Sequence, residues 1–174
     1  PSAVTPGYAK GVWEFTVPPG KLIIGMKGKT ARSVCRRING EKHLWNWLYA
    51  INGVYLCDAK DICDPKPMYQ HIGDVTWSTP TSWTRGLQVF DITFTDIYAG
   101  FYLAGLWIEV NGVITGIFNP GMCMLPAVTY AAMIIRHYAT GEERLYTISG
   151  EKKCSSGQYW QKPVVIKSRD HASA

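Results

Sequence analysis

With 174 residues, 47% of them hydrophobic and 18% charged, the chain has the makeup of one globular domain with a sizeable core, not of a disordered tail. Its net charge of +5 is spread along the sequence, with groups at Lys27, Lys29, Arg32, Arg36 and Arg37 and again at Lys152, Lys153, Lys162 and Lys167. No zinc finger, basic helix or aromatic-plus-basic sheet signature accompanies them, so nucleic acid is not an expected partner, and no apolar run reaches the length of a membrane span.

The elements predicted in chain order are short strands punctuated by turn residues. Gly11 to Val17 alternates and stops at Pro18-Pro19-Gly20. Lys21 to Met26 and Thr30 to Ile38 read as two further strands, the second ending at Asn39-Gly40. Leu44 to Ile51 ends at Asn52-Gly53, and Val54 to Cys57 follows. Asn-Gly favours the left-handed geometry of tight hairpins, so both dipeptides predict turns in an antiparallel meander. From Asp58 to Thr84 the chain becomes polar and carries Pro65, Pro67 and Pro80, a long excursion with room for one short strand at Asp74–Trp77. Leu87 to Thr95 is a strand whose apolar phase shifts near Val89, which predicts a bulge there.

The next run is the most informative: Asp96-Ile-Tyr-Ala-Gly-Phe-Tyr-Leu-Ala-Gly-Leu-Trp-Ile-Glu-Val110. It predicts a turn at Ala99-Gly100 feeding a strand. Period-2 alternation puts Tyr102, Ala104, Leu106, Ile108 and Val110 on one face and Leu103, Gly105, Trp107 and Glu109 on the other. Asn111-Gly112 then turns the chain into a partner strand over Val113–Phe118. Pro126 to Gly141 supports a helix, with Pro near its start and Gly as terminator, or equally a β-rich strand; the neighbouring strands favour the second. Arg144 to Ser149 is a further strand. The expected organisation is a domain over 1–150, with a last strand and tail over 151–174.

The Asp96–Val110 run resembles the "Asp–Ile/Leu–x–x–Gly–x–Tyr" strand of fimbrial subunits and tip adhesins assembled by the chaperone–usher route. That resemblance covers about 15 residues. It implies an all-β, mostly antiparallel sandwich of immunoglobulin-like or jelly-roll character, exported through the periplasm and displayed at a fimbrial tip. Its partners would be a host glycan or glycoprotein receptor, a periplasmic chaperone, a pilin domain and other fimbrial subunits. Such domains bind host carbohydrate and catalyse nothing. No sugar-pocket motif of the family stands in this sequence, so no binding residue carries across. The start at Pro1 without Met fits a removed signal peptide or a fragment boundary.

Five cysteines stand at 35, 57, 63, 123 and 154, in no zinc-binding spacing. Several flank turn residues, where staples of extracellular loops sit. Two disulfides are expected: Cys123–Cys154, tying two late strands, and Cys35–Cys57, bracketing a strand pair, with Cys63 left over.

Catalytic chemistry is thinly represented. His43, His71, His137 and His171 form no metal-binding pair in sequence, and a metal would have to gather distant side chains such as His71 with Asp74. Asp58, Asp61, Asp64 and Asp74 crowd one region, which keeps a secreted glycan hydrolase as one alternative, beside a protein-binding structural module without small ligand, but loop aspartates more often cap turns. No cofactor is expected. Binding has better material in the polar excursion, where Tyr69, His71, Asp74, Trp77, Trp83 and Arg85 join flat rings to directed polar groups, the combination a sugar site needs. Trp45-Asn46-Trp47 is a second such place, or a pair of core indoles.

Overall fold

The computed structural model describes residues 13–36, 42–76, 84–111, 127–152, 158–160 and 165–168. Ten strands are present among them: β1 (Trp13–Thr16), β2 (Lys21–Arg36), β3 (Lys42–Asp58), β4 (Met68–Thr76), β5 (Thr84–Thr93), β6 (Phe101–Asn111), β7 (Ala127–His137), β8 (Glu143–Gly150), β9 (Gln158–Trp160) and β10 (Val165–Ser168). All pairings are antiparallel, in a first sheet ordered β4-β3-β2-β5, a second ordered β8-β7-β6-β9, and a ribbon of β1 with β10. The fold is thus the expected all-β sandwich. Ala127–His137 is strand, which settles the helix-or-strand alternative. Two strands follow Gly150 where one was expected: β9 completes the second sheet and β10 pairs with β1.

The two sheets repeat one topology. In each, the first strand pairs with the second, the second with the third, and the fourth returns to the free side of the first, which is the Greek-key order. The repeat reaches individual residues. Ile24 is an extra residue in β2 against β3, and Ala104 is the extra residue at the matching place in β6 against β7. Each bulge is followed by glycine, Gly25 or Gly105. Each strand is preceded by a glycine in the left-handed region, Gly20 at φ 76° and Gly100 at φ 97°. The carbonyl of Gly20 accepts from the Ala59 amide, and that of Gly100 from the Tyr138 amide, both at 2.9 Å. The halves share little beyond Gly-x-x-x-x-Gly in these six residues, so the sequence displays no repeat.

The inner faces of the sheets form one core. Ile23, Met26, Leu48, Ile51, Val54 and Leu56 from the first sheet meet Leu103, Leu106, Ala131, Met133 and Ile135 from the second. Phe94 and Phe101 close one end, where Tyr98 stacks edge-on against Phe101 and Tyr146. Full burial of a side chain this size contributes about 1.5–3 kcal/mol, so this core is the main source of stability.

Bulges correct several expectations. Lys21 to Arg36 is one strand of 16 residues, not two short ones. Asn52-Gly53 is no turn: β3 runs on through it, with Asn52 inserted opposite β2. The reason is tertiary. A Cβ at Gly53 would overlap the Tyr69 ring, which lies across that position, so the glycine serves close packing and not chain reversal. In β5 the extra residue falls between Arg85 and Gln88, short of Val89. In β6 the bulge at Ala104 resets the alternation, so Leu106 shares the core face with Leu103 and leaves Trp107 and Glu109 on the opposite one.

The Cys35–Cys57 disulfide does not form. Cys57 is a buried free thiol opposite Leu22, whereas Cys35 lies opposite His43 at the other end of the β2–β3 ladder, far beyond the reach of a disulfide. Burial pushes the Cys57 thiol above its ordinary pKa, with Asp58 and Asp61 adding to the shift, so it is an inert core group. Cys63 is an exposed thiol hydrogen-bonded to the Tyr138 hydroxyl at 2.9 Å. Cys123, Cys154, the hairpin over 113–118 and the Asn39-Gly40 turn lie outside the described residues.

Candidate functional site

The expected platform was a long loop. Much of it is instead a strand, because β4 occupies Met68–Thr76 and pairs with β3. Tyr69, His71 and Asp74 therefore stand on a sheet edge, and Arg85 stands on β5 at the opposite edge. Tyr69 and His71 are exposed; the side chains of Asp74, Arg85, Trp45 and Trp47 are not among those described, and Trp77 and Trp83 lie outside the described residues.

What the structure brings together is a cluster on the outer face of the first sheet. Register places Tyr69 of β4, Tyr55 of β3, Gly25 of β2 and Thr93 of β5 in one cross-strand row. His71, Gly53, Lys27 and Asp91 form the row two residues along, on the same face. The Tyr55 and Tyr69 rings are 5.3 Å apart and tilted by 58°. The Lys27 ammonium sits 5.6 Å from the Tyr69 ring centroid, a cation–π contact. The Tyr55 hydroxyl donates to Asp91 Oδ1 at 2.5 Å, spanning the β2 strand between them. Gly25 adds no side chain to the first row, and the missing side chain at Gly53 is what lets the Tyr69 ring lie across the second.

The electrostatics make Tyr55 a committed donor. Its hydrogen bond to Asp91, then burial and the charges of Asp91 and Tyr69, push its pKa up to about 12. The phenol therefore stays neutral and keeps donating its O–H to the carboxylate throughout the physiological range. Asp91 Oδ2, the Lys27 ammonium and the His71 imidazole carry no hydrogen bond among the described residues. The face thus offers two fixed aromatic rings beside an acceptor, a cation and an imidazole, all mounted on strands. Sequence reasoning found Tyr69 and His71 through composition. It missed Lys27, Tyr55 and Asp91, which lie far from one another in the chain and meet only by strand pairing.

The acidic region works differently. Asp58 accepts from the Lys21 ammonium at 2.5 Å, tying the end of β3 to the start of β2. That hydrogen bond and charge hold the Asp58 carboxyl below its ordinary pKa. Asp61 and Asp64 follow in the turn that begins with the single 3-10 turn at Ala59–Asp61, and Asp74 stands apart on β4. A carboxylate held ionised by an ammonium is poorly suited to act as a general acid. Among the described residues no group of three or more His, Cys, Asp or Glu side chains is placed to hold a metal, and no helix is long and apolar enough to cross a membrane.

No protein-family model, no curated protein and no solved structure matches the chain.

Proposed function

We propose that this chain is a carbohydrate-binding β-sandwich module that recognises host-cell glycans without turning them over, as the receptor-binding domain of a fimbrial tip adhesin. The observation that carries the binding reading is the Lys27–Tyr55–Tyr69–Asp91 cluster on the first sheet. Tilted tyrosine rings offer flat apolar surface to the C–H face of a pyranose, while Asp91 and Lys27 stand ready for its hydroxyls. Holding these groups on paired strands cuts the ordering cost that makes single sugar contacts weak. The adhesin setting is supported by the Asp96–Val110 run. Its Asp96 adopts the left-handed conformation at φ 55° and opens a tight turn into β6, as the turn-then-strand reading of that run requires. In that setting the module is exported through the periplasm with a chaperone and precedes a pilin domain.

A glycan array on the purified module tests this, followed by titration of the best hit. Tyr69→Ala is expected to weaken binding roughly thirtyfold, the equivalent of about 2 kcal/mol at a hot spot, with the melting temperature little changed because Tyr69 is 44% exposed. No glycan bound, or binding indifferent to both Tyr69→Ala and Asp91→Ala, would overturn the reading. Cleavage of a bound glycan would move the protein to the hydrolase alternative.

A further inference from the structure

The other side of the sandwich carries a cavity of about 250 Å³. It opens on the outer face of the second sheet, between Ala104 and Trp107 of β6, Ile134 and Arg136 of β7, and Glu143, Arg144 and Leu145 of β8. Its floor is apolar, since Ala104 and Ile134 are buried. One wall is the Trp107 indole, and that ring is fixed. Its N–H donates at 2.8 Å to Glu109 Oε2, and the Lys152 ammonium sits 5.0 Å from its centroid. The polar rim is an ion pair in which Glu143 Oε2 accepts from both Nε and Nη2 of Arg136, at 2.9 and 2.5 Å. Arg136 is held further by a hydrogen bond to Tyr102. Glu143 Oε1 has no partner among the described residues.

These features select a ligand. A volume below that of drug-sized pockets fits one sugar ring and not a chain. A fixed indole over an apolar floor suits the C–H face of a pyranose. The rim holds two guanidiniums, and each is already satisfied by a carboxylate, Arg136 by Glu143 and Arg144 by Glu142. It therefore offers Glu143 as an acceptor for hydroxyl groups and offers little to an anion, which Glu143 would repel. We propose that this cavity is a second binding site, for a single neutral pyranose stacked on Trp107 with hydroxyls donated to Glu143. The inference goes beyond the first-sheet reading, since the outer faces of the two sheets point in opposite directions and no single sugar chain of a few units touches both.

The test is an NMR titration of the full chain that follows the Trp107 indole N–H signal, assigned by its loss in Trp107→Phe. The probes are methyl glycosides of glucose, galactose and mannose, with methyl glucuronide as the charged counterpart. At least one neutral glycoside is expected to shift the signal with half-saturation on the order of millimolar, the strength a dozen heavy atoms supply. The glucuronide should bind at least tenfold more weakly than its neutral counterpart. Glu143→Gln should weaken binding at least tenfold, and Leu145→Trp, which fills the cavity from its half-buried wall, should abolish it. Tyr69→Ala on the opposite face should leave the titration unchanged while weakening binding to the first sheet roughly thirtyfold, so the two readings fail separately. No shift with any neutral glycoside, equal or tighter binding of the glucuronide, or undiminished binding in both cavity variants would overturn the proposal.

Discussion

The two sheets share a strand order, a bulge and a glycine-initiated first strand, yet they treat their outer faces in opposite ways. On the first sheet that face is open: Tyr69 and His71 are exposed, and Val89 shows 62% of its surface. On the second it is enclosed away from the cavity at Arg136 and Glu143. Glu109 is only 2% exposed, and Tyr130, Ala132 and Ile134 on the same face are buried. The contrast teaches that a Greek key sets which residues are neighbours and leaves open what those neighbours meet. Residue choice decides that. Lys27 and Asp91 keep one face wet, while Ala132 and Ile134 on the other make burial favourable. A buried carboxylate is costly, and Glu109 is tolerable because the Trp107 indole N–H is bound to it.

The sharpest way to break this comparison is to truncate one outer-face side chain on each sheet. Ile134→Ala on the enclosed face should cost about 2–5 kcal/mol in a urea melt, as a core truncation does. Val89→Ala on the open face should stay within about 0.5 kcal/mol. Similar losses at the two sites would mean that the faces do not differ as described.

A smaller effect tests the shared bulge. A Cβ at Gly25 would overlap the Ile92 carbonyl oxygen, a backbone atom that side-chain rearrangement cannot move aside. Gly25→Ala should therefore destabilise by roughly 1–3 kcal/mol and weaken the β2–β5 pairing, seen as faster amide exchange in β5. Wild-type stability in this variant would show that the bulge adapts freely.

The Tyr55–Asp91 bond makes a pH prediction peculiar to the open face. Tyr55 titrates near 12 in the folded chain and near 10 when unfolded. Between those values the folded state holds the extra proton, so its stability contribution is complete below pH 10 and is lost as pH rises through 12. The Tyr138 pKa is also raised, by its hydrogen bond with Cys63. Phenolate absorbance should therefore show a late-titrating component that is lost in Tyr55→Phe and moves back toward 10 in Asp91→Asn, while the Tyr138 component stays. An unchanged titration in Asp91→Asn would remove Asp91 as the cause.

The smallest effect belongs to Lys21–Asp58. Its carboxylate is lowered in the folded state, so its contribution is present above the unfolded pKa and fades as pH falls through the folded one. Solvent screens this pair, and Asp58→Asn should shift the acid limb of the melting curve only slightly.

Local pattern alone was enough for the class of fold. Alternation and turn residues marked strands near Lys21, Leu87, Phe101 and Arg144, because period-2 burial and turn chemistry act over a few residues. Composition, for its part, marked Tyr69 and His71 as candidates for the proposed site. Other decisions needed the assembled sheets. Asn52-Gly53 has the chemistry of a hairpin turn and became a bulge, because β2 and β4 pair with both halves of β3 and the Tyr69 ring needs the space at Gly53. Ala104 reversed the face assignment of everything after it, since one inserted residue shifts a period of two. The bond expected between Cys35 and Cys57 failed because a long ladder separates what sequence spacing suggests is near. The cluster of Lys27, Tyr55, Tyr69 and Asp91 is likewise a product of register. Its members come from four strands, and only cross-strand pairing, which follows from the whole fold and not from any one segment, sets them side by side.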